Sequence, residues 1–154
     1  MSRHVCLDAS VLVKLITYEE GSETAAALME EIVQNQQLVV LPAFAWAEVG
    51  SVLRQKAKRG LLSAEEAEAA WNGFCSLKVL HYLPDSELAQ AAWQLAVAEE
   101  LPTLYDAAYL AVAERSQNEG MPCLFWTADK QLAGGLGAKK NYIRYLGDYT
   151  AAST

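Results

Sequence analysis

Histidine and cysteine are both scarce in this sequence. The two histidines, His4 and His81, stand far apart and lack the close spacing of a zinc site. They read as ordinary structural or surface residues. The three cysteines, Cys6, Cys75 and Cys123, leave one unpaired in any disulfide scheme and form no CxxC pair. Each lies in an apolar or helical pattern, so buried free thiols in a reducing cytoplasm are expected. Long apolar runs are missing as well. No stretch approaches the ~20 apolar residues that span a bilayer, so no membrane partner is expected. The run from Val5 to Ile16 is interrupted by Asp8 and Lys14, unlike a secretory signal. The glycine-rich stretch GGLGAKK, 134–140, lacks the GxxxxGK[ST] pattern of a nucleotide-binding P-loop.

Basic charge is in deficit too. Twelve Lys and Arg against 19 Asp and Glu give a formal charge of −7. Taken alone, that counts against a polyanionic partner. The distribution is less one-sided. Arg54, Lys56, Lys58 and Arg59 form one basic zone, and Lys130, Lys139, Lys140 and Arg144 another. Such zones are either solvated faces or contacts for phosphates, since local potential can oppose the net charge.

What is present is a core. Hydrophobic residues make up 53% of the 154 positions, enough for one folded domain without disulfide staples. Strand-like runs at 3–8, 38–41, 78–83, 122–127 and 141–146 alternate with helical patterns at 9–17, 21–36, 42–59, 64–76, 86–100, 104–118 and 128–133. Pro42 is read as the first turn of the third helix. Ser63 and Glu66 have capping-box spacing. The helices at 86–100 and 104–118 read as strongly amphipathic, and the tail 150–154 as frayed. This alternation predicts an α/β fold with a mostly parallel sheet, where ligands bind beyond the carboxyl ends of the strands.

Four acids stand out against that frame. Asp8 and Asp129 each end a strand. Asp106 heads the apolar stripe Tyr109, Leu110, Ala113. Glu48 is the one charged residue between Pro42 and Leu53. Each has an ordinary explanation. Asp8 and Asp129 are possible N-caps, Asp106 with Thr103 a variant capping box, and Glu48 a partner for a lysine. Taken together, four carboxylates without obvious basic partners imply a divalent cation. All-oxygen ligands point to Mg²⁺ or Mn²⁺, the ions of phosphoryl chemistry. No Ser–His–Asp or Cys–His set competes.

The segments LDASVLVKL (7–15), AEVGSVL (47–53), YDAAYLAVAE (105–114) and TADKQL (127–132) together resemble the PIN-domain ribonucleases, and in particular the VapC-type toxins of toxin–antitoxin pairs. The similarity covers nearly the whole chain in the right order. It implies a single domain over 1–154 with a three-layer α/β/α fold around a sheet of about five strands. It implies an endoribonuclease dependent on one or two Mg²⁺ or Mn²⁺ ions. The acidic quartet falls on Asp8, Glu48, Asp106 and Asp129, with Ser10 and Thr127 as hydroxyls that orient carboxylates. A homodimer and a small cognate antitoxin are the implied partners. A nuclease of RNA maturation, or a module that binds RNA or antitoxin without turnover, would use the same residues. A two-component receiver would need an acidic pair at an early strand end, and a haloacid-dehalogenase phosphatase an acid at position 10. Neither is present.

Overall fold

The computed structural model describes residues 3–151. Among them five strands and seven helices alternate: β1 (His4–Leu7), α1 (Ala9–Ile16), α2 (Ser22–Gln34), β2 (Leu38–Pro42), α3 (Ala45–Lys58), α4 (Ala64–Cys75), β3 (Leu80–Leu83), α5 (Asp85–Ala98), α6 (Leu104–Asn118), β4 (Cys123–Thr127), α7 (Lys130–Gly137) and β5 (Ile143–Tyr145), followed by a 3-10 turn at Leu146–Asp148. The strands form one sheet in the order β3-β2-β1-β4-β5, parallel throughout.

That order fixes where a site belongs. The chain steps outward from β1 to β2 and β3, then returns to the other side of β1 for β4 and β5. Right-handed crossovers therefore put α1–α4 on one face and α5–α7 on the other. The reversal occurs at β1, so the crevice of a doubly wound sheet opens at its carboxyl end. β1 is central, and its HVCL sequence is apolar rather than alternating because both faces are covered. α6 packs on β1, β2 and β4, with α5 behind it. Its residues Ala107–Ala113 are buried all round.

Several sequence expectations need correction. Pro42 does not open a helix; it ends β2, and α3 starts at Ala45. Val39 donates its N–H toward β3 (to Val79) and Leu38 toward β1 (to Arg3), so position 42 faces β1. There the β1 pairing has already ended at Val39, and a missing N–H costs no ladder bond. α6 is not amphipathic, because α5 covers its outer side. α5 is only weakly so: it buries Leu88 and Ala92 but leaves Trp93 (57% exposed) and Val97 (60%) outside. Cys6 and Cys123 are buried free thiols, but Cys75 is exposed. Of the tail expected to fray, residues 152–154 lie outside the described residues; Thr150 and Ala151 are exposed and irregular.

The glycine-rich stretch is another departure. Gly134, Gly135 and Gly137 belong to α7. A Cβ at any of them would meet nothing within 4 Å, so no close approach requires glycine there. Gly134→Ala combined with Gly135→Ala should stabilise the chain by about 1–2 kcal/mol, from helix propensity and a less flexible unfolded chain. A denaturant melt checks this through the midpoint. Gly50 contrasts with these: in mid-α3, its missing Cβ would lie 3.0 Å from the Trp71 ring of α4, so the glycine sets how closely α3 and α4 pack.

Candidate active site

β1 stops at Leu7, and Asp8 turns the chain into α1 as its N-cap. Its Oδ1 accepts the Val11 N–H at 3.2 Å and the Ser10 hydroxyl. The Thr127 hydroxyl adds a third hydrogen bond. These hydroxyls also hold the neighbouring loop. Ser10 Oγ accepts the Ala128 N–H at 2.9 Å, and Thr127 Oγ1 accepts the Asp129 N–H at 3.0 Å. The exits of β1 and β4 are thus tied together through Asp8. Asp8 is only 5% exposed. Burial pushes its carboxyl up to about 6, against the opposing pull of its hydrogen bonds.

Replacing Ser10 by Ala should strip Asp8 of one donor and leave the Ala128 N–H unpaired. The expected result is about 1–2 kcal/mol of lost stability and a roughly 10–100-fold drop in any activity that depends on Asp8. Thermal melts and turnover rates measured side by side check both.

Glu48 sits in the first turn of α3, half-buried. Its Oε2 is buried with no hydrogen-bond partner. The lysine partner considered for it is not there; the α3 lysine Lys56 pairs instead with Glu19 at 3.3 Å. Burial, then Asp8, then Asp106 push the Glu48 carboxyl up to about 7. Asp106 occupies the first turn of α6 on the opposite face, half-buried. Burial and the charge of Asp129 raise its carboxyl. The capping box with Thr103 does not form. Asp129 is exposed at the crevice mouth and N-caps α7, accepting from Gln131 N (3.0 Å) and Leu132 N (3.1 Å). The capping reading and the site reading therefore coincide for Asp8 and Asp129: the cap bond fixes each carboxylate where a strand exits. For Glu48 and Asp106 the ordinary readings fail.

None of the four acids takes part in an ion pair among the described residues. Yet charge adds to burial at three of them: Asp106 raises Asp8, Asp8 and Asp106 raise Glu48, and Asp129 raises Asp106. Burying an unpaired carboxylate oxygen costs roughly 1–3 kcal/mol or more. A divalent cation offsets that cost and fits the all-oxygen donor set. Among the described residues no three His, Cys, Asp or Glu side chains stand close enough together to hold a metal ion as they are.

The basic residues divide by position. Lys130 is exposed beside Asp129, at the crevice. Arg54, Lys58 and Arg59 are exposed on α3 beyond Glu48, toward its far end, with Lys56 held by Glu19. Lys139 and Lys140 follow α7 at the opposite edge of the sheet. There they meet Glu99 (3.5 and 4.0 Å), and Lys140 also meets Glu114 (2.8 Å). Arg144 lies in β5 and donates to the Asn141 and Ile143 carbonyls. The structure thus does not bring Lys139, Lys140 and the acidic crevice together. Sequence reasoning missed Lys14, one turn after Ser10, which lines a cleft of about 400 Å³ with Ala128 and Tyr145. Tyr109 was read only as part of the apolar stripe that Asp106 heads. The available signal was a tyrosine within an otherwise apolar seven-residue run.

The chain is thus a parallel α/β/α domain with carboxylates that lack ion-pair partners at its topological switch point. The PIN domain family model matches residues 5–134, and the chain belongs to the PIN-domain family. The curated protein ribonuclease VapC3 of Pyrobaculum aerophilum is 37% identical over 131 residues, covering 82% of this chain and 90% of that protein. A crystal structure of another Pyrobaculum aerophilum protein superposes with a TM-score of 0.61 at 23% identity, over 91% of this chain and 82% of that one. VapC20 of Mycobacterium tuberculosis, described as a Sarcin-Ricin loop cleaving toxin, gives 0.59 at 16% identity, over 88% and 95%. These two structures bear on the fold alone, and they agree with the α/β/α architecture the sequence implied.

Proposed function

We propose that this chain is a Mg²⁺- or Mn²⁺-dependent endoribonuclease acting as the toxin of a toxin–antitoxin pair in the cytoplasm. The observation that carries this reading is the set Asp8, Glu48 and Asp106, half-buried or buried and without cationic partners, in a chain 37% identical to a ribonuclease over most of its length. A bound divalent ion polarises the phosphodiester and lowers the pKa of a nearby water. Asp8, Glu48 and Asp106 hold the principal ion, directly or through water. Asp129, exposed at the mouth, completes the site or serves a second ion once substrate is present. Ser10 and Thr127 keep Asp8 oriented. Lys130 and Arg54 are placed to meet flanking phosphates. Lys139 and Lys140 are committed to acids elsewhere, which favours a solvated face over phosphate contacts for that part of the second basic zone.

Partners follow from the exposed apolar surface. Trp93 and Val97, one turn apart on α5, suit a second copy of the chain. A groove of about 500 Å³ between α3 and α4, lined by Trp46, Leu53 and Trp71 with Arg54 and Glu68 beside them, suits an antitoxin segment. Among the described residues no helix is long and apolar enough to cross a membrane.

The test is incubation of purified protein with total RNA in Mg²⁺, Mn²⁺ or EDTA. Discrete, metal-dependent fragments support a selective ribonuclease. Intact RNA under every metal contradicts it and favours the binding module.

A further inference from the structure

Tyr109 is completely buried, at 0% exposure, yet its hydroxyl has no hydrogen-bond partner. A phenylalanine would fill the same space without burying an unpaired polar atom. The hydroxyl is also not in a neutral corner. Burial raises its pKa most, and among the neighbouring titratable groups the Glu48 carboxyl comes first, ahead of Cys6, Asp8 and Asp106. The one carboxylate oxygen among the described residues that is buried and unpartnered belongs to that same Glu48. Two orphaned buried polar atoms, one a donor and one an acceptor, therefore belong to groups near enough for the Glu48 carboxyl to act on the Tyr109 hydroxyl.

The surroundings hold them in place. Tyr109 lies three residues after Asp106 on α6. Phe44 lies four before Glu48, just ahead of α3. The Phe44 ring meets Tyr109 edge-on, with centroids 5.9 Å apart at 86°, and meets Tyr105 at 5.3 Å and 75°. This aromatic contact ties together the starts of the two helices that carry Glu48 and Asp106, from opposite faces of the sheet.

We propose that Tyr109 is a positioning residue for Glu48, its phenol O–H donating to one Glu48 oxygen when a divalent cation engages the other. The inference rests on the metal-site reading above. It accounts for a buried tyrosine where phenylalanine would pack as well, and for a buried carboxylate oxygen that no protein group pairs with. The hydrogen bond restrains the Glu48 side chain and lowers the ordering cost that the cation would otherwise meet.

The test needs no RNA. Mn²⁺ is titrated calorimetrically into the wild type, Tyr109→Phe, Glu48→Gln and the double variant, with melts of each metal-free protein. Expected is a metal-free Tm for Tyr109→Phe equal to or above wild type, because no existing bond is lost. Its Mn²⁺ affinity should fall about 5–20-fold. The double variant should bind no more weakly than Glu48→Gln alone, because the two groups act as a pair. Wild-type Mn²⁺ affinity in Tyr109→Phe, or additive losses in the double variant, would overturn the role of Tyr109 while leaving the metal site standing. A clear drop in the metal-free Tm of Tyr109→Phe would show the hydroxyl already bonded and would overturn it too. A wild-type protein that takes up no Mn²⁺ would bring down the metal-site reading and, with it, the proposal.

Discussion

Asp8→Asn and Glu48→Gln should each abolish RNA cleavage and at the same time raise the melting temperature of the metal-free chain. The two effects share one cause. At pH 8 both carboxylates are ionised in places that resist ionisation, Asp8 with its carboxyl pushed to about 6 and Glu48 to about 7 by burial. An amide of the same shape carries no such cost, and asparagine caps a helix as well as aspartate. The expected gain is about 1–3 kcal/mol, with Glu48 at the lower end because it is partly solvated. For a chain of this size that is roughly 3–10 °C. The expected loss of cleavage is at least ~10³-fold, or about 4 kcal/mol of transition-state stabilisation. Variants that lose activity by unfolding would show the opposite sign in the melt, so calorimetric scans beside the activity assay distinguish the two.

The metal-free chain should also be more stable at pH 5 than at pH 8, and added Mn²⁺ should reverse that order. Asp8 and Glu48 have folded-state values near 6 and 7, above their ordinary 3.8 and 4.5. Asp106 is displaced in the same direction. A carboxyl whose folded value is raised binds more protons folded than unfolded. Its contribution to stability is fully present below the unfolded value, near pH 4, and is lost as pH rises through about 6 and 7. His4 opposes this: burial and His81 hold it below 6.5, so its protonation weakens the fold as pH falls below that value. Three carboxyls outweigh one half-buried imidazole. A cation binds the ionised form, so its stabilisation grows across the same window. At a Mn²⁺ concentration 100 times the dissociation constant it adds about 2.7 kcal/mol, roughly 5–10 °C at pH 8, and little at pH 5. Melts at the two pH values, with and without Mn²⁺, read this directly. A flat profile, or a Mn²⁺ shift of equal size at pH 5, would contradict the burial of these acids as described.

The parts of the fold legible in the sequence were those set by periodicity and capping. The strand–helix alternation held along the described chain, and the Ser63–Glu66 capping box forms with both of its hydrogen bonds. What was not legible depended on neighbours. Pro42 mimics a helix start, yet it ends β2 because β1 has already run out beside it. α6 read as amphipathic, but its outer side is buried by α5, a contact that no local pattern records. Glycines 134 to 137 suggested a loop, and the chain accepts them in α7 at a cost in propensity.

The candidate site was more legible than its surroundings. Asp8 and Asp129 stood out in the sequence as acids at strand ends, and the structure makes each the N-cap of the following helix. Glu48 was visible as a lone charge in an apolar stretch. The charged zones were not separable from the sequence, since Lys139 and Lys140 look like phosphate contacts until Glu99 and Glu114 are seen beside them. Tyr109 was read as one more apolar-stripe residue because its oddity lies in a missing partner, which only three-dimensional burial reveals.

RNA cleavage by the acidic crevice with the help of a divalent cation can be tested in one experiment. The most direct measurement is the single-turnover cleavage rate of a defined RNA pool against Mn²⁺ concentration, for wild type and Asp106→Asn on the same day with the same RNA. The rate should saturate with Mn²⁺ for the wild type, vanish in EDTA, and fall by at least ~10³-fold in Asp106→Asn. Cleavage that survives EDTA, or an Asp106→Asn variant that cuts as fast as wild type, would contradict it.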